Sequence, residues 1–212
     1  MNLLTDTAYL SSAYLGSIEY FQALVNYPNV CSEQYDHYIK QTYRNRCNIV
    51  GAEGIQSLII PIVKPNRDAQ CMKDIQISGH DKWNHLHWQA IKSAYKNSPY
   101  YDYFEEDFYK FYKKPCKFLF DFNNQLQNIV CELADLAPNI RYTAEYKSKF
   151  CGTEIDLRDS IHPKKGGLAA TLNKRYYQVF EHKHGFVSNL SIIDLLFNKG
   201  PESIFYLDNR YL

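Results

Sequence analysis

Apolar and polar positions along the chain follow two periods, and the switches between them predict the elements. The opening "MNLLTDTAYL" reads as a strand, and the apolar spacing that follows predicts a helix over Ser17–Val25, which Pro28 ends. Residues 33–50, "EQYDHYIKQTYRNRCNIV", keep neither period, so helix and strand both stay open there. "IQSLIIPIV" (55–63) is apolar on both faces, the pattern of a buried strand, and Pro61 places its end near a sheet edge because proline donates nothing to a ladder. "KPNRDAQ" reads as a loop and "MKDIQIS" as a short second strand.

The period then changes to 3.6. From Lys82 to Lys96, the residues Trp83, His87, Ala90, Ile91, Ala94 and Tyr95 trace one helical stripe. Ser98-Pro99 predicts a new helix with a serine cap and proline at its first position. Its acidic residues Asp102, Glu105, Glu106 and Asp107 come early and Lys110, Lys113 and Lys114 late, an order that complements the helix dipole and marks a solvated face. Leu119, Phe122, Leu126, Ile129, Val130 and Leu133 repeat at three and four in a third helix that Pro138 stops. Extended pieces are expected at Ile140–Tyr142 and Tyr176–Phe180, and "NLSIIDLLFNKG" is apolar nearly all round, as a buried C-terminal helix is. Strands interleaved with helices predict an α/β fold, a mixed sheet flanked by helices. The length of 212 residues fits one domain over 1–212.

Composition narrows the classes. The 45% apolar content supports a sizeable core, and 19 Tyr and 12 Phe against 2 Met bias it toward cores that border polar clefts. A net charge of +1 argues against a nucleic-acid partner, whose phosphates call for a basic excess. No run of 18 apolar residues predicts a membrane span, and the N-terminus lacks the positive region of a secretory signal. Six scattered cysteines without a C-x-x-C pair then read as reduced thiols of a cytoplasmic protein and leave no zinc ribbon.

Candidate chemistry centres on three places. In "WNHLHW", His85 and His87 lie about 200° apart on a helix and cannot share a metal; His87 points inward and His85 outward. His87 is thus a satisfied core histidine or a cleft acid or base. His182-x-His184 follows an extended stretch, where alternate residues share a face, so metal geometry is conceivable there, although no ligand cluster adjoins it. In "YRNRC" (43–47), Arg44 and Arg46 flank Asn45 and would aim two guanidiniums to one side, a fork for phosphate or carboxylate; the alternative is two surface arginines paired with local acids. "HPKKGG" (162–167) offers Lys164 on a loop without the order of a nucleotide-binding loop. "TEIDLRD" reads first as a local salt-bridge cluster of Glu154, Asp156, Arg158 and Asp159. Asp194 either completes a capping box with Ser191 or lies buried and needs a partner. No metal site and no cofactor is expected.

Several segments together resemble the WbqC-like protein family, in particular its short Bacteroides-type members. They are "AYLGSIEYF", "YIKQTYRNRCNI", "LIIPIVK", "WNHLHWQAIKSAYKNSPYYDYFEEDF" and "NLSIIDLLFNKG", in order across most of the chain. The resemblance implies a role in surface-polysaccharide (O-antigen type) biosynthesis, with transfer of an amino-acyl or acyl group to an amino sugar. The family's Asn-Arg pair falls on Asn45 and Arg46, its His-Trp element on His87 and Trp88, and its closing motif on Asn189, Ser191 and Asp194. Two family features are absent: a His-Gln-Pro-Asn-Tyr opening, where this chain has Ser11-Ser12-Ala13-Tyr14 or Thr5-Asp6-Thr7-Ala8-Tyr9, and a Ser-Gly-rich segment, where it has "IHPKKGG".

The resulting expectation is a transferase acting on a nucleotide-sugar-like small molecule. His87, Asp194 and Asn45 would serve catalysis, and Arg44, Arg46, Tyr43, Tyr95, Lys164 and Asn189 would bind substrate. The alternatives are a non-catalytic scaffold with protein partners in glycan assembly, and a metal-dependent hydrolase using His182 and His184.

Overall fold

A strand that is buried along its length nucleates the architecture. In a computed structural model, which describes residues 6–64, 70–79, 82–165 and 174–211, β1 (Thr7–Ser11) runs through the centre of a sheet with only Thr7 less than buried. The chain leaves it through α1 (Ile18–Asn26), capped by the Ser17 side chain, and returns as the parallel strand β2 (Asn29–Glu33). β5 (Ile140–Tyr142) joins the outer edge of β2, and β6 (Glu154–Asp156) pairs with the other edge of β1. The result is a four-stranded, all-parallel sheet in the order β5-β2-β1-β6. A separate antiparallel hairpin, β3 (Arg46–Gly51) and β4 (Gly54–Ile59), makes the strand content mixed.

The hairpin corrects one expectation. β4 is not a buried strand: Ile55 and Ile59 are 63% and 44% exposed, and only Leu58 is buried within it. Among the described residues it pairs with β3 alone, so one face of its apolar run meets solvent. "MKDIQIS" is not a strand either. Met72–Asp74 form a 3-10 turn, which brings Met72 and Ile75, three apart and both fully buried, to one side.

The helical layer follows the 3.6 period closely. α2 (Trp83–Tyr95) buries Trp83, His87, Trp88, Ile91, Ala94 and Tyr95, and leaves His85 exposed. Ser98 does not cap the next helix; its hydroxyl donates to the Tyr95 carbonyl at 2.6 Å and so closes α2, while α3 (Tyr101–Lys113) begins without a side-chain cap. α4 (Leu119–Leu133) buries Leu119, Phe122, Leu126 and Val130 completely. Tyr176–Phe180 forms no strand: Gln178 instead uses its side chain on the Val187 backbone, donating to the carbonyl and accepting from the amide, both at 2.9 Å. The short α5 (Glu181–His184) follows. α6 (Ile192–Lys199) is buried from Ile192 to Asn198, its Phe197 ring packed among Tyr95, Tyr101 and Phe108, and α7 (Ile204–Leu207) ends the helical series. Each fully buried side chain of this kind contributes about 1.5–3 kcal/mol. At the end of α6, Gly200 adopts a positive φ of +54°, and a Cβ there would run into the Tyr100 ring. No helix among the described residues is long and apolar enough to cross a membrane.

Candidate functional site

Parallel sheets leave the carboxyl ends of their strands open where the chain reverses direction across the sheet, and ligands gather there. In this sheet the chain steps from β1 to β2 on one side and later adds β6 on the other, so the reversal falls between β1 and β6. A crevice occupies that point. Ser11 and Ser12 from the end of β1, Thr42, Tyr43 and Arg44 from the segment before β3, and Arg158 just beyond β6 line it. Its closed space is about 10 Å³, the room one water molecule needs.

The walls are held by two buried ion pairs. Asp36 receives the Ser11 hydroxyl at 2.9 Å and the Arg44 guanidinium at 2.6 and 3.2 Å, all on Oδ2. Burial pushes the Asp36 carboxyl above its usual range, with the Arg44 charge and the two sets of hydrogen bonds only partly offsetting it. Arg44 also lies 3.6 Å from the exposed Asp159. Arg158 grips Asp156 with two parallel bonds of 2.7 and 2.8 Å and donates to the fully buried Glu33 at 3.1 Å. Tyr146 and Phe150 cover its guanidinium at 4.8 and 5.1 Å from the ring centres. Burial pushes the Asp156 carboxyl up, but the Arg158 contacts outweigh it and hold Asp156 below its ordinary value.

The start of α1, the usual phosphate seat beside such a crevice, is already taken. The Ile18 amide donates to the Leu190 carbonyl at 3.0 Å, the Glu19 amide to Asn189 Oδ1 at 3.0 Å, and the Tyr20 amide to Ser17 Oγ. Ser191 adds a bond of 2.7 Å to the Leu15 carbonyl. An anion entering here therefore meets side chains, not the helix end. Those side chains stand at the rim. Lys164 reaches Gln41 at 2.6 Å and Lys165 reaches the Asp159 carbonyl at 2.8 Å, on the loop that carries His162. The Lys164 amide donates to His162 Nδ1 at 3.0 Å, so the neutral ring keeps its proton on Nε2. Desolvation and the charges of Lys165 and Lys164 lower the His162 pKa.

Of the residues singled out in the sequence, the structure brings Arg44 and Tyr43 into the crevice wall and Lys164 to its rim. Burial raises the Tyr43 hydroxyl to about 12, which keeps it a donor at neutral pH. Arg46 opens β3 on the same side as Arg44, both close enough to Tyr38 to act on its ionisation; its Nε is buried and has no partner among the described residues. Asn45 is buried and donates to the Ile60 carbonyl at 2.8 Å.

The others lie elsewhere. His87 sits in the aromatic core, its Nδ1 3.0 Å from the Tyr14 hydroxyl and its ring against Trp83, with a further hydrogen bond to the Ile59 backbone. Neither Asn45 nor Asp194 orients it, because the core supplies its partners. Desolvation lowers its pKa to about 4, so it is neutral near pH 7. Asp194 and Tyr95 meet in a second buried cluster: Oδ2 accepts from Tyr95 at 3.1 Å, and Oδ1 accepts from Tyr176 at 2.7 Å and Gln178 at 3.1 Å. Burial raises Asp194 to about 6. It forms no capping box, since Ser191 is engaged with Leu15. Asn189 caps α1, and Gly166 and Gly167 of the "HPKKGG" motif lie outside the described residues. His182 and His184 lie on α5, not on an extended stretch, so their rings diverge, and His184 Nε2 sits 3.1 Å from the Ala52 carbonyl. No group of three His, Cys, Asp or Glu among the described residues could hold a metal ion.

Sequence reasoning missed Asp36 and Glu33; its local salt-bridge cluster is present in the Arg158–Asp156 bonds, but the further bond of Arg158 to the buried Glu33 was not foreseen. The available signal was the pair of serines between a predicted strand and a predicted helix, the place where a parallel sheet opens its crevice.

The fold and crevice together define an α/β protein with a parallel sheet and a polar crevice at its topological switch point. The chain belongs to the WbqC-like protein family, whose model matches residues 12–160. It is similar to an uncharacterized protein of Mycobacterium tuberculosis, Rv1507c, at 24% identity over 196 residues, which cover 80% of this chain and 83% of that one. No solved structure matches.

Proposed function

We propose that the protein is a transferase of bacterial surface-polysaccharide assembly, which modifies an amino sugar by acyl or amino-acyl transfer and takes its nucleotide-sugar-like substrate across the mouth of the switch-point crevice. The observation that carries this reading is the Ser11–Asp36–Arg44 set at the open ends of the parallel strands. Arg46, with its unpartnered Nε, and the rim lysines Lys164 and Lys165 supply the cations that a diphosphate needs once the α1 terminus is closed to it. Tyr43 and the Nε2–H of His162 supply neutral donors to sugar or acyl oxygens. His87 and Asp194 support the walls from the core and do not move protons. The test is a thermal-shift screen of the wild-type protein and of Lys164→Ala/Lys165→Ala against UDP-sugars. A ligand present at about 100 times its Kd adds about 2.7 kcal/mol, several degrees for a chain of this size. A shift that the double variant loses supports the reading; a flat screen across the UDP-sugars defeats it.

A second reading, a non-catalytic scaffold, draws on the apolar outer face of β4, where Ile55 and Ile59 lie open beside the exposed Val63. It expects Ile55→Ser/Ile59→Ser to abolish co-purification with glycan-assembly proteins while nucleotide-sugar binding stays nil.

A further inference from the structure

β4 is an edge strand whose outer side is only partly used. The Ile60 amide donates to the Asn45 carbonyl at 2.8 Å. The alternation of an antiparallel ladder then turns the backbone groups of Gln56 and Leu58 toward β3, and those of Ile55, Ser57 and Ile59 outward. Beyond Ser57 that outer side is engaged. His87 bonds the Ile59 backbone, the Ser78 amide donates to the Pro61 carbonyl, and the Val63 amide donates to the Gln76 carbonyl, the last two at 2.9 Å. At Ile55 and Ser57 nothing among the described residues pairs with the backbone on that side. An N–H and a C=O on each stand open.

Edge strands are ordinarily guarded by a charge, a proline or a bulge. Residues Gly54–Ile60 contain no charge and no proline, and the β3–β4 register runs without a bulge. The surroundings are as neutral. Ile55 and Ile59 lie exposed on one face. On the other, Gln56 borders a groove of about 480 Å³ between the hairpin and Ala90, Ser93 and Ala94 of α2. The exposed Leu86 precedes Ala90 by one turn on the same stripe of that helix. The charged residue of the lining, Glu53 at the hairpin tip, already has Lys183 at 3.5 Å. A two-fold contact sets the residues near its axis against their own copies, so a charge there would repel itself. An uncharged edge beside a groove of small residues meets that condition, and a partner selected by charge would find nothing on it to read.

We infer that a second copy of this chain covers the face, the two joining edge to edge through β4, antiparallel about an axis at Gln56, into one continuous sheet β3-β4-β4-β3. Ile55 of each copy then stands opposite Ser57 of the other, and their open N–H and C=O groups exchange hydrogen bonds in both directions. The two Gln56 carboxamides meet at the axis, each donating to the other. On the opposite face Ile55 has the second copy's Ile55 and Ile59 as diagonal neighbours, about 7–8 Å away and within reach of long apolar side chains. This register leaves the Ile59 backbone to His87, so no existing bond is broken. The pairing is independent of what the crevice binds.

The experiment is sedimentation velocity on the wild-type protein and on Ile55→Lys, from about 1 to 300 µM, the range in which a contact of this small size dissociates. Alongside it, hydrogen exchange of the peptide spanning residues 51–60 is compared at the two ends of that range in the wild-type protein alone. The inference expects the wild-type mass to double with concentration. Ile55→Lys, a change at a side chain 63% exposed, should leave the fold intact and weaken association at least about tenfold, because it sets two like charges across the axis. Exchange in the 51–60 peptide should slow at high concentration, as the Ile55 and Ser57 amides enter the ladder. This second measurement needs no variant. A monomer throughout overturns the inference and leaves the face to the protein partner of the scaffold reading. A dimer that tolerates Ile55→Lys, with exchange of the 51–60 peptide unchanged, overturns it too, since the copies then meet elsewhere.

Discussion

Around His87 each polar atom has its partner. Tyr112 bonds Tyr14 at 2.7 Å, Tyr14 bonds the Nδ1 of His87, and the ring also bonds the Ile59 backbone. Around Asp36, charge is abundant but partners are unevenly shared: three donors serve one oxygen and none among the described residues serves the other. The first region is polar and closed, and its neutral groups lock aromatic rings in place. The second is polar and incomplete, with one carboxylate oxygen left without a partner among the described residues. The difference teaches that a histidine among aromatics is a weaker pointer to chemistry than an ion pair with a spare acceptor.

The comparison can be broken at the ion pair first. Arg44→Ala strands Asp36 as a buried charge and should cost about 3–5 kcal/mol in chemical denaturation, whereas Arg44→Met combined with Asp36→Asn should recover most of it. On the core side, His87→Ala removes a ring packed on Trp83 and Tyr14 and should cost about 3–4 kcal/mol without altering affinity for any nucleotide-sugar that the wild-type protein binds. An affinity loss there, measured on folded variant, would merge the two regions into one site.

pH separates the two buried polar clusters of the core. His87 has its pKa lowered from 6.5 to about 4, so its contribution is complete above pH 6.5 and is lost as pH falls through 4. Asp194 has its pKa raised from 3.8 to about 6, so its contribution is complete below 3.8 and is lost as pH rises through 6. Asp194→Asn should therefore match or trail the wild-type protein at pH 4 and gain on it by about 2–3 kcal/mol at pH 7.5 in urea melts. Tyr95→Phe, which removes one donor from Asp194, should cost about 1–2 kcal/mol. Smallest of all, Lys164→Ala should change stability by less than about 0.5 kcal/mol and yet weaken nucleotide-sugar binding, the signature of a rim residue that serves a ligand and not the fold.

How much of this was legible depended on range. α1, α2, α4 and α6 were readable because their stripes are local, and the inward face of His87 followed from its stripe, whereas Asp194 stayed open between a cap and burial. The exposed β4 was not, because an apolar run says nothing about whether a second layer covers it. β6 escaped because three residues carry no period, and its partner β1 lies some 145 residues away by the Tyr9–Glu154 bond. The crevice was invisible for the same reason: Ser11, Asp36, Arg44 and Arg158 come from four separate segments, and only the parallel pairing of β1 with β2 and β6 collects them. Arg44 was singled out for its spacing to Arg46, but its partner Asp36 carried no motif.

The clasp of residues 189–192 on the start of α1 has a consequence in time. A growing chain exposes β1, α1 and β2 first, but the Ile18 and Glu19 amides find their partners, Leu190 and Asn189, only after about 170 further residues have been made. Until then water must serve those amides, and the first strand–helix–strand unit waits unfinished for the last long helix to arrive. Synthesis order and folding order are thus decoupled at this unit, whose first helix is completed by a segment made some 170 residues later.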